Sequence, residues 1–284
     1  MAYAQKLVSG DEGMALNFLS REPLKNIISI GFIRDHGLEN PRNRGDFYAC
    51  FDEGRIVAIS LIGHTVVFDS NAEGDQGRVA TAFVAAAVRE NTAPIRQVLG
   101  QRQQVKEFHR SLSNAVASLP AATTARQVLL SLKSRPSADD KKHEVSVAGM
   151  GELDQVVEAH AKAYLELCGV DPLTRDAEGF CDRVRARVER GRVWAGRDAD
   201  GISFKADIIS RTDEAVYLEG IWVRPDLRGQ GIGTASLKTL CRYLLNDSQT
   251  VCLFTDADDP ERVAYFRRVG FSPVTSYDFL RYDY

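Results

Sequence analysis

At 284 residues the chain exceeds the common single-domain size and predicts two domains of about 140 residues each. Apolar residues make up 44% and charged residues 26%, the balance of a soluble globular protein, and a net charge of −3 excludes the strongly basic surface that nucleic acid or an anionic membrane would select. The N-terminal stretch passes from Lys6 into polar Ser9–Glu12 without a signal-like apolar core, and no apolar run reaches the ~18 residues of a membrane span, so a cytoplasmic protein is expected.

In chain order, the first clear pattern is a run of strands. Gly45–Phe51 is followed by the turn Asp52–Arg55, then by Ile56–Ile62 and His64–Phe68. A helix carrying Val79, Phe83, Val84 and Val88 comes next, then a strand at Ile95–Leu99 and a helix over 101–112. The segment 132–144, polar and holding Pro136, reads as an exposed linker between domains at 1–131 and 145–284.

Beyond the linker, Glu144–Ala148 predicts a short strand, and Leu153, Val156, Val157, His160, Tyr164 and Leu167 recur at helical spacing over 151–168. A second helix covers about 176–190. Strands at 192–197 and 202–211 flank the turn Asp198–Gly201. Residues 215–223 are apolar on both faces, as an interior strand covered by helices requires. A helix over 231–246, a strand at 250–255, a short helix at 260–268 and a strand near 278–282 complete an α/β domain on a mixed sheet. Cys50, Cys168, Cys181, Cys241 and Cys252 are odd in number and unpaired in spacing, which predicts reduced thiols and no metal site.

The stretch Arg228-Gly229-Gln230-Gly231-Ile232-Gly233-Thr234 lies between the interior strand and an amphipathic helix. Glycines there let the backbone come close to a ligand, and free amides at a helix N-terminus favour a pyrophosphate, with Arg228 and Arg224 as positive charge at the rim. Glycine spacing alone also fits an ordinary strand-turn-helix junction. A dinucleotide loop is a further reading that the preceding Val-Arg-Pro and late position disfavour.

Arg228-x-x-Gly231-x-Gly233 after Val223-x-Pro225, together with Ala264-Tyr265-Phe266-Arg267-Arg268-Val269-Gly270-Phe271, resembles the GNAT superfamily of acetyl-CoA-dependent N-acetyltransferases over about 145–284. The resemblance implies a GNAT-like mixed α/β fold and acetyl-CoA as co-substrate. It implies that the backbone of 228–233 holds the pyrophosphate and that Ile221, Trp222 and Val223 at the end of strand 215–223 face the pantetheine and thioester. Thr234, Asp259 and Phe266 are placed near the coenzyme by the same comparison. The acceptor would be a primary amine of a small molecule or peptide, with no nucleic-acid or membrane partner, and the oligomeric state stays open.

Glu219 is the charged residue within strand 215–223 and is the candidate general base, the alternative being an ion pair with an arginine such as Arg211. Relatives often carry a tyrosine acid five residues before the closing phenylalanine, where this chain has Phe266. Tyr265 is the candidate to replace it, though it points ~100° away around the helix, and packing against the sheet is the alternative. Relatives also carry an asparagine near Asp259, which here could cap the helix at Pro260 instead. The absent tyrosine keeps a second reading open, a non-catalytic acyl-CoA sensor. The element order of the first half echoes that of the second and looks like a degenerate copy in a tandem GNAT protein, since Asn71–Ala80 lacks the glycine pattern; an unrelated α/β cap is the rival.

Overall fold

A computed structural model describes residues 2–69, 72–90, 94–137 and 143–283. Asn71 of the first-half loop and 138–142 of the expected linker lie outside the described residues. The chain forms two compact units, one of residues 1–130, 254–260 and 273–284, the other of 131–253 and 261–272. The units are therefore not the consecutive segments 1–131 and 145–284: the chain's last strand and the segment ahead of the final helix group with the first 130 residues.

The first unit is built from β1 (Tyr3–Lys6), α1 (Glu12–Leu19), α2 (Ile27–His36), β2 (Gly45–Asp52), β3 (Arg55–Gly63), β4 (Thr65–Phe68), α3 (Gln76–Glu90), β5 (Gln97–Gly100), α4 (Arg102–Ala115), β6 (Ala122–Leu132) and the late strand β12 (Ser272–Tyr282). Its strands run in the order β1-β2-β3-β4-β5-β12-β6. Alternation along β2 explains the two covered faces. Phe47 and Ala49 pack with Phe18, Leu19, Ile30 and Ile33 of α1 and α2, while Tyr48 and Cys50 pack with Phe83 of α3 and Phe108 of α4. β12 pairs antiparallel with β5, Phe279 opposite Leu99, and adds Leu280 and Tyr282 to this core.

The second unit contains β7 (Val145–Val147), α5 (Leu153–Cys168), α6 (Pro172–Glu189), β8 (Val193–Asp198), β9 (Gly201–Arg211), β10 (Val216–Val223), α7 (Ile232–Leu244), β11 (Val251–Asp256) and α8 (Pro260–Val269). Strand order is β11-β10-β9-β8-β7. α5 stops at Gly169, which takes the left-handed conformation at φ 70°. α6 starts on Asp171, whose side chain accepts from the Leu173 amide at 2.9 Å, with Pro172 in the first turn. α6 starts four residues earlier than its periodicity predicts, across a kink at Asp176.

α5 and α6 cover one face of this sheet through Val156, Ala159, Phe180, Val184 and Val188, packed on Val193, Ala195 and Trp222. α7 covers the other with Leu237, Leu240, Cys241 and Leu244, and its Tyr243 ring lies 4.6 Å from that of Trp194. No described helix is long and apolar enough to cross a membrane.

Candidate active site

The site grows out of β10. Glu219 stands opposite Asp207 and Trp222 opposite Lys205, so Gly220 and Ile221 together face the single residue Ala206. This extra residue is a β-bulge, and Gly220 takes φ 58° within it. On its other edge β10 pairs in parallel with β11 at Val216–Val251 and Tyr217–Cys252. That register stops short of Leu218, so the C-terminal half of β10 runs on past it.

Glu219 is exposed, and its carboxylate accepts from the buried Tyr217 hydroxyl at 2.5 Å. The two side chains share a face because they are two residues apart on a strand. Partial loss of hydration raises the Glu219 pKa, while the Tyr217 phenol and the Arg187 guanidinium pull it down. The side chain stays open to water, which limits that rise. Arg211, the expected alternative partner, pairs instead with Asp247 at 3.0 Å.

After β10 a short turn at Pro225–Leu227 leads into the glycine loop. Gly229 and Gly231 take φ 75° and 83°, conformations that a residue with a Cβ rarely holds, and space around both is open. Arg228, Gly229, Gln230 and Gly231 are exposed. Gly231 caps α7 and its carbonyl accepts from Ala235 at 3.0 Å, so helix geometry leaves the amides of Ile232, Gly233 and Thr234 without a carbonyl one turn back. Gly233 has a different reason to be glycine. A Cβ there would come within 2.8 Å of Val223 Cγ2 and 3.2 Å of the Tyr265 hydroxyl.

The two arginines of the loop differ. Arg224 is bound by both oxygens of Asp198, at 2.9 and 2.6 Å, and by Asp226 at 2.8 Å, so it clamps the β8–β9 turn to the loop and does not stand free at the rim. Arg228 is exposed, donating to the Val223 carbonyl at 3.0 Å and to Glu166 of α5 at 2.6 Å. The other oxygen of Glu166 accepts from the Trp222 indole at 3.3 Å. Glu166 thus ties the α5 surface to the coenzyme candidates Trp222 and Arg228.

On α8, the Tyr265 hydroxyl donates to the Gly233 carbonyl at 2.9 Å and braces the first turn of α7. Burial pushes this phenol well above its ordinary value. Phe266 is buried, its ring 5.0 Å from that of Tyr265 and 6.0 Å from that of Phe271, so it packs α8. Asp259 is half-buried in the first unit and directly precedes Pro260 at the start of α8. Asp258 beside it pairs with Arg126.

Sequence reasoning passed over two buried charges on β9, in register with Glu219 and Trp222 of β10. Lys205 and Asp207 of β9 are buried at 1% and 2% exposure, with His160 of α5 at 6%. The alternation of β9 carried the signal: Lys205 and Asp207 are charges at inward positions within the largely apolar run Ile202–Ile209.

A bulged β10 that parts from β11 beside a glycine loop opening a helix defines a GNAT-type acyltransferase fold, and solved structures agree. The chain is similar to an acetyltransferase of the GNAT family from Colwellia psychrerythraea, 12% identical with 99% of each chain covered and a TM-score of 0.61. A GCN5-related N-acetyltransferase from Sphaerobacter thermophilus is 15% identical, covers 99% of this chain and 95% of its own, and gives a TM-score of 0.62. A tandem GNAT protein from the clavulanic acid biosynthesis pathway is 15% identical over 99% and 98% of the two chains, at a TM-score of 0.58. No curated protein matches in sequence. Residues 200–271 match the acetyltransferase (GNAT) family, so the chain carries a GNAT acetyltransferase domain there, from β9 through the bulge and loop to the end of α8.

Proposed function

We propose that the protein is an acyl-CoA-dependent N-acetyltransferase that moves an acetyl group to a primary amine of a small molecule or peptide, by direct attack within a ternary complex. The observation that carries this is the loop at 228–231, exposed, with Gly229 and Gly231 at positive φ and open space where side chains would stand, leading into the first-turn amides of α7. Such a cradle fits a diphosphate through backbone amides and the helix dipole, with Arg228 supplying charge once Glu166 releases it.

In this reading the coenzyme brings an activated thioester, and the chain's residues handle the amine and its proton. An alkyl amine is mostly protonated at neutral pH, so a base must take its proton before attack. Glu219 fits that task because it is exposed, its pKa is raised, and Tyr217 fixes its direction. Backbone amides at Ile221–Val223 are the candidates for polarising the carbonyl as charge develops on oxygen. The departing thiolate takes its proton from water, because the Tyr265 hydroxyl is given to Gly233 and Phe266 has none to offer. The first unit is in this reading a degenerate copy that binds no coenzyme.

Those two α8 residues also favour a second reading, an acyl-CoA sensor without turnover. Titration with acetyl-CoA followed by a thiol-release screen over amine classes separates the two. Binding with release supports the transferase, binding without release on any amine supports the sensor, and absence of binding refutes both.

A further inference from the structure

Lys205, Asp207 and His160 are buried within the otherwise apolar interface of β8 and β9 with α5 and α6, and the partly exposed Arg187 joins them from its edge. The Lys205 ammonium donates to the Gly220 carbonyl at 2.8 Å and lies 3.4 Å from Asp207 Oδ2. Arg187 Nη1 of α6 meets the same oxygen at 3.3 Å. His160 Nε2 of α5 stands 3.2 Å from Asp207 Oδ1, off the line of a full hydrogen bond. A Cβ on Gly220 would fall 2.7 Å from Asp207 Oδ2 and 2.9 Å from Lys205 Nζ, so the pair is seated directly against the bulge.

Burying such charges is costly, and an apolar pair of the same volume is often as stable or more so. Stability is therefore a poor account of a fully buried lysine. Its geometry supplies another. A bulge leaves backbone groups outside the strand ladder, and here the freed Gly220 carbonyl is taken by an ammonium. The residue before that carbonyl is Glu219, and Ile221–Val223 follow it.

Resting on the transferase reading above, we propose that Lys205 is a positioning residue of the acyl-transfer site: held as a cation by Asp207, it pins the Gly220 carbonyl and so fixes the bulge that aims Glu219 and the Ile221–Val223 amides. Asp207 is kept ionised by Lys205, with His160 and Arg187 adding to its stabilisation. Burial lowers the Lys205 pKa and Asp207 opposes that fall. The groups facing Glu219 are then Tyr217 on its own strand, Lys205 and Asp207 on β9, and Arg187 on α6.

The test compares Lys205→Met and Asp207→Asn with the wild type in the full-length protein. Losing the bulge anchor displaces Glu219 by a fraction of its own length, and a misplacement of that order costs about 10²-fold in kcat, while KM for acetyl-CoA stays near the wild-type value. The acid limb of the pH–rate profile moves up in Lys205→Met, where a cation is lost beside Glu219, and down in Asp207→Asn, where an anion is lost. Amide hydrogen exchange at Ile221–Val223 quickens in Lys205→Met, a readout that needs no turnover. If Lys205→Met does not fold, Lys205→Met with Asp207→Leu removes both charges and restores an apolar interface. That variant is expected to fold with the same fast exchange and the same loss in kcat. Wild-type exchange at Ile221–Val223 in either variant overturns the proposal, as does a limb that stays in place while kcat is retained. Absence of thiol release by the wild type would instead refute the transferase reading, leaving exchange to judge Lys205.

Discussion

Gly233→Ala tests the packing of the loop onto β10 and α8 most directly. In a helix, alanine in place of glycine gains about 1 kcal/mol in propensity. Against that gain, the new methyl would meet Val223 Cγ2 at 2.8 Å and the Tyr265 hydroxyl at 3.2 Å. Val223 is β-branched, so its χ1 cannot swing aside cheaply, and the Tyr265 hydroxyl is held by its bond to the Gly233 carbonyl. Overpacking of this kind costs roughly 1–3 kcal/mol. The difference is a net loss near 1 kcal/mol, or about 2–4 °C in Tm for a domain of this size. Val223→Ala clears the closest clash, so the double variant should recover part of the loss, with a coupling of about 1 kcal/mol in a thermal-unfolding cycle. A Gly233→Ala protein that melts at or above the wild-type temperature, or a coupling of zero, refutes the contact.

Three more outcomes are expected. Glu219→Gln should lower thiol release by about 10²–10⁴-fold with acetyl-CoA affinity retained, by calorimetry. Because the base must be ionised and its pKa is raised above the ordinary 4.5, the wild-type rate should fall with decreasing pH earlier than an unperturbed glutamate would dictate; unchanged turnover in the variant removes the assignment. Tyr265→Phe should lose one hydrogen bond, about 0.5–1.5 kcal/mol of stability, with turnover held, whereas a collapse of kcat at unchanged stability would make the phenol an acid. Glu166→Gln frees Arg228 from an exposed ion pair of about 0.2–1 kcal/mol, so acetyl-CoA should bind up to about fivefold more tightly; weaker binding means that Arg228 does not meet the coenzyme.

Most of the second unit was legible because its elements obey local rules. α5, α7 and the strands β8 to β11 fall within a few residues of their periodicity, and the glycine loop lies exposed between the strand and helix that frame it. In the first unit β2 to β5, α3 and α4 were equally plain. What escaped were α1 and α2, whose modest amphipathy is spread over a segment rich in turns, and β1, an edge strand of four residues. β6 escaped for another reason. Its first half, Ala122–Gln127, is partly open to solvent and polar, so no alternation marks it until Leu129. That β12 belongs with β5 could not be read at all, since pairing across that sequence distance leaves no local trace.

The site divides along the same line. Glycines and the lone glutamate of β10 are chemistry that a sequence displays, because each is the wrong residue for a buried strand or a plain turn. Whether an arginine is free is not displayed. Arg224 and Arg228 are four residues apart in one loop, yet Arg224 is bound by two aspartates and Arg228 by the carboxylate that a phosphate would have to displace. Nor is the use of a tyrosine displayed, for Tyr265 is spent on the Gly233 carbonyl. The buried charges of β9 were visible as violations of its pattern, but their purpose follows only from the bulge, which exists because Gly220 and Ile221 together oppose Ala206. A strand without that extra residue would leave the Gly220 carbonyl to its neighbour, and Lys205 would be a buried cation with one partner fewer. The lysine and the bulge thus meet at the Gly220 carbonyl, one residue along the strand from Glu219.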